Sequence, residues 1–301
     1  MEENSYIRFD WAAKRLLRQK ANFGVLEGLL TVLLDEKVQI VEILESESNQ
    51  QTPEDKFNRV DIKAKNSKGE IIIVEVQNTR EIHYLERILY GVAKAITEHI
   101  SLGKSYSEVK KIYSVSILYF DIGKGSDYLY HGQSNFVGVH TGDSLEVTTR
   151  QKDAIVRKLP AEIFPEYFLI RVNEFNQVAI TPLEEWMDYL KSGYIRPGTK
   201  APGLEEVRQK LIYYNMTPEE QQVYDKYIDA IMIQNDVIEG AKQDGVEEGL
   251  EQGLELGLEQ GRIEGRMEGI LSVARTMKSM GSDIASICKI TGLEQEEVQK
   301  L

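Results

Sequence analysis

Hydrophobic residues recur at two different spacings along the first part of the chain. Over residues 11–17 and 25–34 they fall three or four positions apart, the repeat of a helix with one buried face. Over residues 38–44 they alternate with polar residues, as in a strand. The polar stretch 45–55 contains Pro53 and predicts a loop.

Two strands with a short connection follow that loop. Residues 57–64 alternate, and residues 71–77 are β-branched and almost entirely apolar, as in a central strand covered on both faces. Between them residues 66–69 read Asn-Ser-Lys-Gly, which is turn chemistry. The pattern therefore predicts an antiparallel hairpin.

The remaining pattern completes an α/β core and then becomes helical. We expect a helix over residues 81–102, a buried strand over 111–121, one or two strands within 135–147 and a further strand over 164–173. From Pro182 onward the periodicity is mainly that of helices. The order α-β-β-β-α-β predicts a mixed sheet flanked by helices, with a mainly helical C-terminal region.

Every fourth residue from Gly245 to Gly269 is glycine. Seven glycines weaken a helix by about 6 kcal/mol relative to alanine, so a helix here needs a compensating contact. Close approach of a second backbone is one, and we expect residues 240–270 to form a homo-oligomer through the same segment of another subunit. The alternative is a charged low-complexity tract without a partner.

These patterns predict four parts of the chain. They are a first domain over 1–180, a helical extension over 181–239, the oligomerisation helix over 240–270 and a small helical tail over 271–301. The tail is similar to a helix-turn-helix, and a small packing cap explains the same pattern.

Composition sets the expected compartment. No apolar stretch approaches the roughly 20 residues that span a bilayer, and the acidic N-terminus is unlike a secretory signal. Cys288 is the only cysteine, so it has no partner for an internal disulfide. We expect a cytoplasmic protein.

The net charge of −13 is distributed unevenly. Residues 1–121 carry 17 basic and 19 acidic residues, whereas the remainder carries 19 and 30. Five basic residues between Arg8 and Lys20, among them Lys14 and Arg15, surround a single acid, Asp10. They form either a local patch for a polyanion or a solvated helix face.

Two acids on the predicted hairpin suggest metal chemistry. A hairpin centred on residues 67–68 places Asp61 opposite about position 74, and therefore beside Glu75. Gln77 shares the face of Glu75 because it is two residues further on. Two buried carboxylates repel unless a cation joins them, and oxygen ligands favour Mg²⁺ or Mn²⁺. Alternatively, both acids face solvent and pair with Lys63 and Arg59.

Several segments are similar to one enzyme family. Residues 59–63 read Arg-Val-Asp-Ile-Lys and residues 73–77 read Ile-Val-Glu-Val-Gln, which resembles the core motif of PD-(D/E)XK nucleases in their recombination-promoting nuclease and transposase form. Further segments that fit this family are Asp-Trp-Ala-Ala-Lys at 10–14, Leu-Glu-Arg-Ile-Leu-Tyr at 85–90, residues 164–173 and the Glu/Gly-rich tail. The resemblance covers about residues 8–265.

This resemblance implies a restriction-endonuclease-like core and Mg²⁺- or Mn²⁺-dependent cleavage of DNA, in bacterial recombination, mobile elements or defence. Asp61 and Glu75 then correspond to the metal-binding acids. Gln77 replaces the usual lysine; it carries no charge, but it can hydrogen-bond a water. Glu27 is the candidate for a further catalytic acid on the first core helix, with Asp10 as second choice.

Four residues are candidates for DNA contacts: Lys14, Arg15, Arg87 and Tyr90. Arg87 and Tyr90 are three apart on one helix face, where helix packing and an ion pair to Glu81 or Glu86 explain them equally well. Two functions compete overall. One is an active metal-dependent endonuclease, and the other is a catalytically inactive nuclease-fold protein that oligomerises through its C-terminal helix.

Overall fold

A computed structural model describes the chain over residues 6–15, 17, 19–44, 60–99, 105–151 and 154–301. The chain divides into two compact units, Met1–Gln222 and Val223–Leu301, which we describe separately. None of the described helices combines the length and the apolar character that crossing a membrane requires.

The first unit is built on a six-stranded mixed sheet with the strand order β1-β2-β3-β4-β8-β5. Its strands are β1 (Ile40–Leu44), β2 (Ile62–Asn66), β3 (Ile71–Gln77), β4 (Ile112–Leu118), β5 (Leu129–Gly132) and β8 (Glu166–Arg171). Because β3, β4 and β8 are parallel, their carboxyl ends lie at one edge of the sheet. Two further strands, β6 (Val147–Gln151) and β7 (Ala154–Lys158), form a separate antiparallel hairpin.

Among the described residues, five α-helices lie wholly within this unit: α1 (Phe9–Arg15), α2 (Phe23–Leu34), α3 (Tyr84–Glu98), α4 (Pro182–Ser192) and α5 (Leu204–Lys210). The helix α3 covers the central strands, where Val92 and Ala95 join Ile73 and Ile112 in one buried cluster. The mixed sheet with flanking helices confirms the predicted α/β class.

Both α4 and α5 contact α2 and so belong to the first compact unit. An alanine-type Cβ on Gly28 would lie 2.3 Å from the Gly203 Cα, so the two backbones touch where only glycine fits. The Trp186 ring also packs edge-on against Phe9. The boundary predicted at residue 180 therefore remains a prediction, and α4 and α5 pack in the first compact unit.

The β2–β3 hairpin forms where the turn chemistry predicted it. Gly69 adopts a left-handed φ of 79°, and the Asn66 side chain accepts hydrogen bonds from the backbone N–H groups of Lys68 and Glu70. Ile62 pairs with Val74 in this register. Continuing the register by one residue places Asp61 beside Glu75, within the uncertainty of the sequence prediction.

The strands predicted within residues 135–147 were misplaced. The structure has only an isolated bridge between Val137 and Ser144 there, while β5 precedes this stretch at Leu129–Gly132 and β6 begins at Val147. The apolar residues that suggested a strand, such as Val139, are exposed. None of residues 135–147 is buried, so this stretch has no face packed in the core.

The second unit consists of most of a long helix, α6 (Pro218–Ser279), and two short ones, α7 (Ile284–Thr291) and α8 (Gln295–Lys300). Ala274, Ile287, Leu293 and Val298 form its buried cluster. The first turn of α8 holds Glu296 and Glu297, which would repel phosphates. For residues 271–301 we therefore favour a packing cap over a DNA-binding helix-turn-helix.

The glycine repeat lies within α6. A Cβ placed on any glycine from Gly245 to Gly269 would meet no neighbouring atom within 4 Å among the described residues. The apolar residues that follow these glycines are also exposed: Val246, Leu250, Leu254 and Leu258. The contact that would compensate for the glycines is therefore absent from the described part of a single chain.

Candidate active site

Glu75 is a buried acid near the carboxyl end of the central strand β3. Its exposed fraction is 4%, and it stands beside Ser116 of the parallel neighbour β4. The neighbouring residues of β3 are apolar, so a charged side chain at position 75 is contrary to the packing preference of the strand. A buried carboxylate of this kind requires a partner.

Asp61 lies on the other side of Glu75, immediately before β2 rather than inside it. Its Oδ2 accepts a hydrogen bond from the Val76 backbone N–H at 2.7 Å. This bond ties the Asp61 carboxylate to the strand that carries Glu75. The negative charge of Asp61 is close enough to raise the pKa of Glu75. The hairpin therefore brings the two predicted acids together.

The nearest cation to Glu75 comes from α3. Arg87 Nη2 lies 2.7 Å from Glu75 Oε2, and the Tyr84 hydroxyl donates a longer bond of 3.4 Å to the same oxygen. The alternative in which Glu75 faces solvent and pairs with Lys63 is wrong, because Lys63 binds Glu98 instead. Arg59 lies outside the described residues.

Burial dominates the electrostatics of Glu75 and raises its pKa to about 7. The Arg87 guanidinium opposes this shift, while the charges of Asp61 and Glu81 add to it. Burial likewise raises the pKa of Tyr84, so its phenol stays protonated and keeps donating. For Glu75, the effect of burial therefore outweighs the effect of the Arg87 guanidinium.

Glu81 joins the other polar groups of the site. Its Oε2 lies 3.1 Å from Arg87 Nε, and its Oε1 accepts a 2.9 Å hydrogen bond from Gln77 Nε2. Gln77 Nε2 also donates to the backbone oxygen and hydroxyl of Thr79. Because all three partners are acceptors, the amide nitrogen of Gln77 must face them, which turns its Oε1 the other way.

Glu27, the predicted further acid, has a different partner. Its Oε1 accepts a 2.7 Å hydrogen bond from the backbone N–H of Ile40, at the start of β1. Ile40 pairs with Asn66, which is roughly 17 Å along β2 from Asp61 at about 3.4 Å per residue. The structure therefore does not bring Glu27 to the acid pair, and its contact explains the residue as a link between α2 and β1.

Asp10, the second choice, lies fully buried at the start of α1. Its carboxylate pairs with Arg8 through two contacts of 3.0 and 3.2 Å. The Arg8 guanidinium lies 4.9 Å from the centre of the Tyr119 ring, and the Tyr119 N–H bonds to the Gln77 carbonyl. The Arg8–Asp10 pair thus lies at the same sheet edge as Gln77.

The remaining predicted DNA contacts lie on α1 and α3. Arg15 is exposed, with its guanidinium 5.0 Å from the centre of the Trp11 ring. Lys14 lies on α1, but its side chain is outside the described residues. Tyr90 is half-buried one turn after Arg87. Arg87 contacts the acid pair through its 2.7 Å ion pair with Glu75.

Sequence reasoning missed Tyr84 and underrated Glu81. Glu81 appeared only as a possible surface partner of Arg87, although it follows Gln77 by four residues. Tyr84 carried one usable signal, because a tyrosine at the first buried position of α3 needs a partner for its hydroxyl. Ser116 carried another, since a polar residue interrupts the buried strand β4 as Glu75 interrupts β3.

The acid pair fits a hard divalent cation. Among the described residues, no group of three or more His, Cys, Asp or Glu side chains is placed to hold a metal. Two carboxylates suffice for Mg²⁺, which is often bound by one or two of them together with waters and substrate phosphates. The raised pKa of Glu75 shows that further positive charge would stabilise its ionised form. Asp61 and Glu75 would hold such an ion.

Comparison with known proteins agrees with this arrangement. Residues 7–152 match the model of a family described as PD-(D/E)XK nuclease family transposase, which indicates a nuclease-type function. No curated protein and no solved structure matches the chain. The matched segment includes α1, the hairpin with both acids, and α3. Over residues 7–152 the chain is therefore similar to the PD-(D/E)XK nuclease family transposases.

Proposed function

We propose that the protein is a metal-dependent DNA endonuclease that hydrolyses phosphodiester bonds with Mg²⁺ or Mn²⁺. The observation that carries the proposal is the pairing of buried Glu75 with Asp61 across the β2–β3 hairpin. Burying Glu75 next to the half-buried Asp61 costs stability, and binding a cation at the pair would offset that cost.

Asp61 and Glu75 would hold a divalent ion, whose chemistry there would be that of a Lewis acid toward the phosphodiester and the attacking water. The residues of the chain do the positioning. Asp61 is fixed by the Val76 N–H, and Glu75 by Arg87 and Tyr84. Both carboxylates are therefore oriented before substrate arrives, which favours catalysis.

Gln77 takes a limited part in this proposal. Its Nε2 is engaged by Thr79 and Glu81, so its Oε1 is the atom that can accept a hydrogen bond from a water. Such a bond orients a nucleophilic water but adds no positive charge. The role of the usual lysine is therefore only partly replaced at this position.

Nicking of supercoiled plasmid tests the activity. The wild type is expected to nick in Mg²⁺ or Mn²⁺ and not in EDTA, and Asp61→Ala and Glu75→Ala are expected to lose at least about a hundredfold in rate. Glu27→Ala serves as the control on an acid outside the pair and should keep most of the rate, provided that the variant is folded. Cleavage that survives both Asp61→Ala and Glu75→Ala would refute the site.

The second candidate is a catalytically inactive nuclease-fold protein that assembles through residues 240–270. The open glycine face and exposed leucines of α6 support assembly. They do not discriminate between the candidates, because an active nuclease also assembles. The buried acid pair favours the active enzyme, and we place it in the cytoplasm, in recombination, mobile-element or defence reactions on DNA.

A further inference from the structure

Replacement of the usual lysine by Gln77 removes a positive charge from the site, and the structure shows a different cation beside Glu75. Arg87 Nη2 lies 2.7 Å from Glu75 Oε2. The side chain of Arg87 is 29% exposed, whereas that of Glu75 is 6% exposed. The guanidinium therefore extends from the buried carboxylate to the surface, where a substrate arrives.

Arg87 is also held independently of Glu75. Its Nε lies 3.1 Å from Glu81 Oε2, and its guanidinium lies 5.1 Å from the centre of the Tyr84 ring. Glu81 in turn accepts the hydrogen bond from Gln77. The ion pair with Glu81 and the contact with the Tyr84 ring do not involve Nη2, so they do not depend on the contact with Glu75.

We propose that Arg87, held by Glu81, is a phosphate-binding residue that supplies the positive charge that Gln77 lacks, and that it passes from Glu75 to the DNA backbone when the acid pair takes up its cation. This inference rests on the proposed nuclease function. Guanidinium groups match phosphate oxygens through two parallel donors, which a lysine ammonium does not offer. Before metal binds, Arg87 stabilises the acid pair; afterwards its Nη2 is available to a phosphate.

The proposal predicts an effect of Arg87 on DNA binding that depends on metal. Binding of a short duplex is measured for the full chain in EDTA and in Ca²⁺, whose looser coordination disfavours the reaction. In Ca²⁺ we expect Arg87→Ala to weaken binding about tenfold and to lower the slope of log affinity against log salt by about 0.9, one phosphate contact. In EDTA, where Glu75 occupies the guanidinium, we expect less than about a threefold change.

Three further variants separate this role from a structural one. Arg208→Ala is the matched control, because Arg208 is 27% exposed and pairs with Glu205 at 3.1 Å in the same unit. We expect it to leave binding unchanged in both solutions. Adding Gln77→Lys to Arg87→Ala should recover most of the lost affinity in Ca²⁺, since the charge returns at the neighbouring position. Arg87→Lys keeps the charge without the paired donors and should bind at an intermediate level, even if Arg87→Ala unfolds.

The outcomes are distinguishable. Equal weakening by Arg87→Ala in EDTA and in Ca²⁺, or no weakening in either, would overturn the exchange of Arg87 between Glu75 and phosphate. No recovery by Gln77→Lys would overturn the charge-replacement role. The nuclease function itself would be refuted, and this inference with it, if the wild type bound DNA equally in EDTA and in Ca²⁺ and did not nick plasmid.

Discussion

Replacing Glu75 by glutamine should stabilise the first unit above neutral pH. The substitution keeps the shape of the side chain but removes its ionisation. In the wild type, burial raises the pKa of Glu75 from an ordinary value of 4.5 to about 7. The folded state therefore binds a proton between these values that the unfolded state has released.

The magnitude follows from this difference in pKa. A folded pKa above the unfolded value means that Glu75 supports stability at low pH, and that this support is lost as pH rises from 4.5 to 7. At 1.36 kcal/mol per pH unit the full loss is about 3 kcal/mol. Glu75→Gln does not titrate, so it should exceed the wild type by about 3 kcal/mol at pH 8.5 in EDTA.

Urea unfolding followed by tryptophan fluorescence measures this change in the first unit. The chain has two tryptophans, Trp11 and Trp186, and both are buried in that unit. Because the sequence pI is about 5.0, the lowest practical pH is near 5.5. Between pH 5.5 and 8.5 the advantage of Glu75→Gln over the wild type should grow by about 2 kcal/mol.

Glu205→Gln is the control, since Glu205 is an exposed acid in a surface ion pair. It should change stability by less than about 0.5 kcal/mol at either pH. Saturating Mg²⁺ should stabilise the wild type at pH 8.5 and leave Glu75→Gln nearly unchanged. A Glu75→Gln advantage that is the same at both ends of the pH range would refute the effect of burial on this carboxylate.

Three further predictions concern other parts of the molecule. Gly28→Ala should destabilise the first unit by about 3 kcal/mol in the same urea assay, because the new Cβ would meet the Gly203 backbone at 2.3 Å; an unchanged midpoint would contradict that contact. Metal binding should release close to one proton at pH 6 and far less at pH 8.5, because a pKa of about 7 makes Glu75 largely protonated at the lower pH. Calorimetry in two buffers of different ionisation heat measures the number of protons released. A proton release that is independent of pH would contradict this prediction. Replacing Gly249, Gly253 and Gly257 together by alanine should weaken self-association in analytical ultracentrifugation, although each change favours the helix by about 0.8–1 kcal/mol. An unchanged oligomer, or a monomeric wild type, would contradict the predicted role of residues 240–270 in oligomerisation.

The hairpin and its acid pair were predictable because local rules determine them. The turn Asn66–Gly69 fixes where the chain reverses, and the alternation in β2 fixes which residues face each other. Asp61 then falls beside Glu75 without knowledge of any other element. Glu75 could also be recognised from the local sequence, because an acidic residue is unusual in a strand where its neighbouring residues are apolar and buried.

The partners of the pair were not predictable to the same degree. Whether Arg87 reaches Glu75 or only Glu81 depends on how α3 packs across the sheet, which no local pattern specifies. The choice between Glu27 and Asp10 depended likewise on how α1 and α2 pack against the strands. The structure gives Glu27 a backbone partner in β1 and places Asp10 with Arg8 near the edge of β3 and β4.

The edge of the sheet was the least predictable region. β5 is short and mostly exposed, so its residues lack the alternating burial that identifies a strand. Residues 135–147 contain apolar residues, but none of them is buried. Edge strands depend on the strand they pair with, and β8 is more than thirty residues away in sequence from β5.

Titration of Mn²⁺ into the full chain at pH 8.5 by calorimetry tests the central claim most directly. If Asp61 and Glu75 hold the ion, the wild type should bind Mn²⁺, and Asp61→Asn and Glu75→Gln should each lose at least about tenfold in affinity, with Glu27→Gln equal to the wild type. Equal Mn²⁺ binding by the wild type, Asp61→Asn and Glu75→Gln would contradict the metal-binding acid pair.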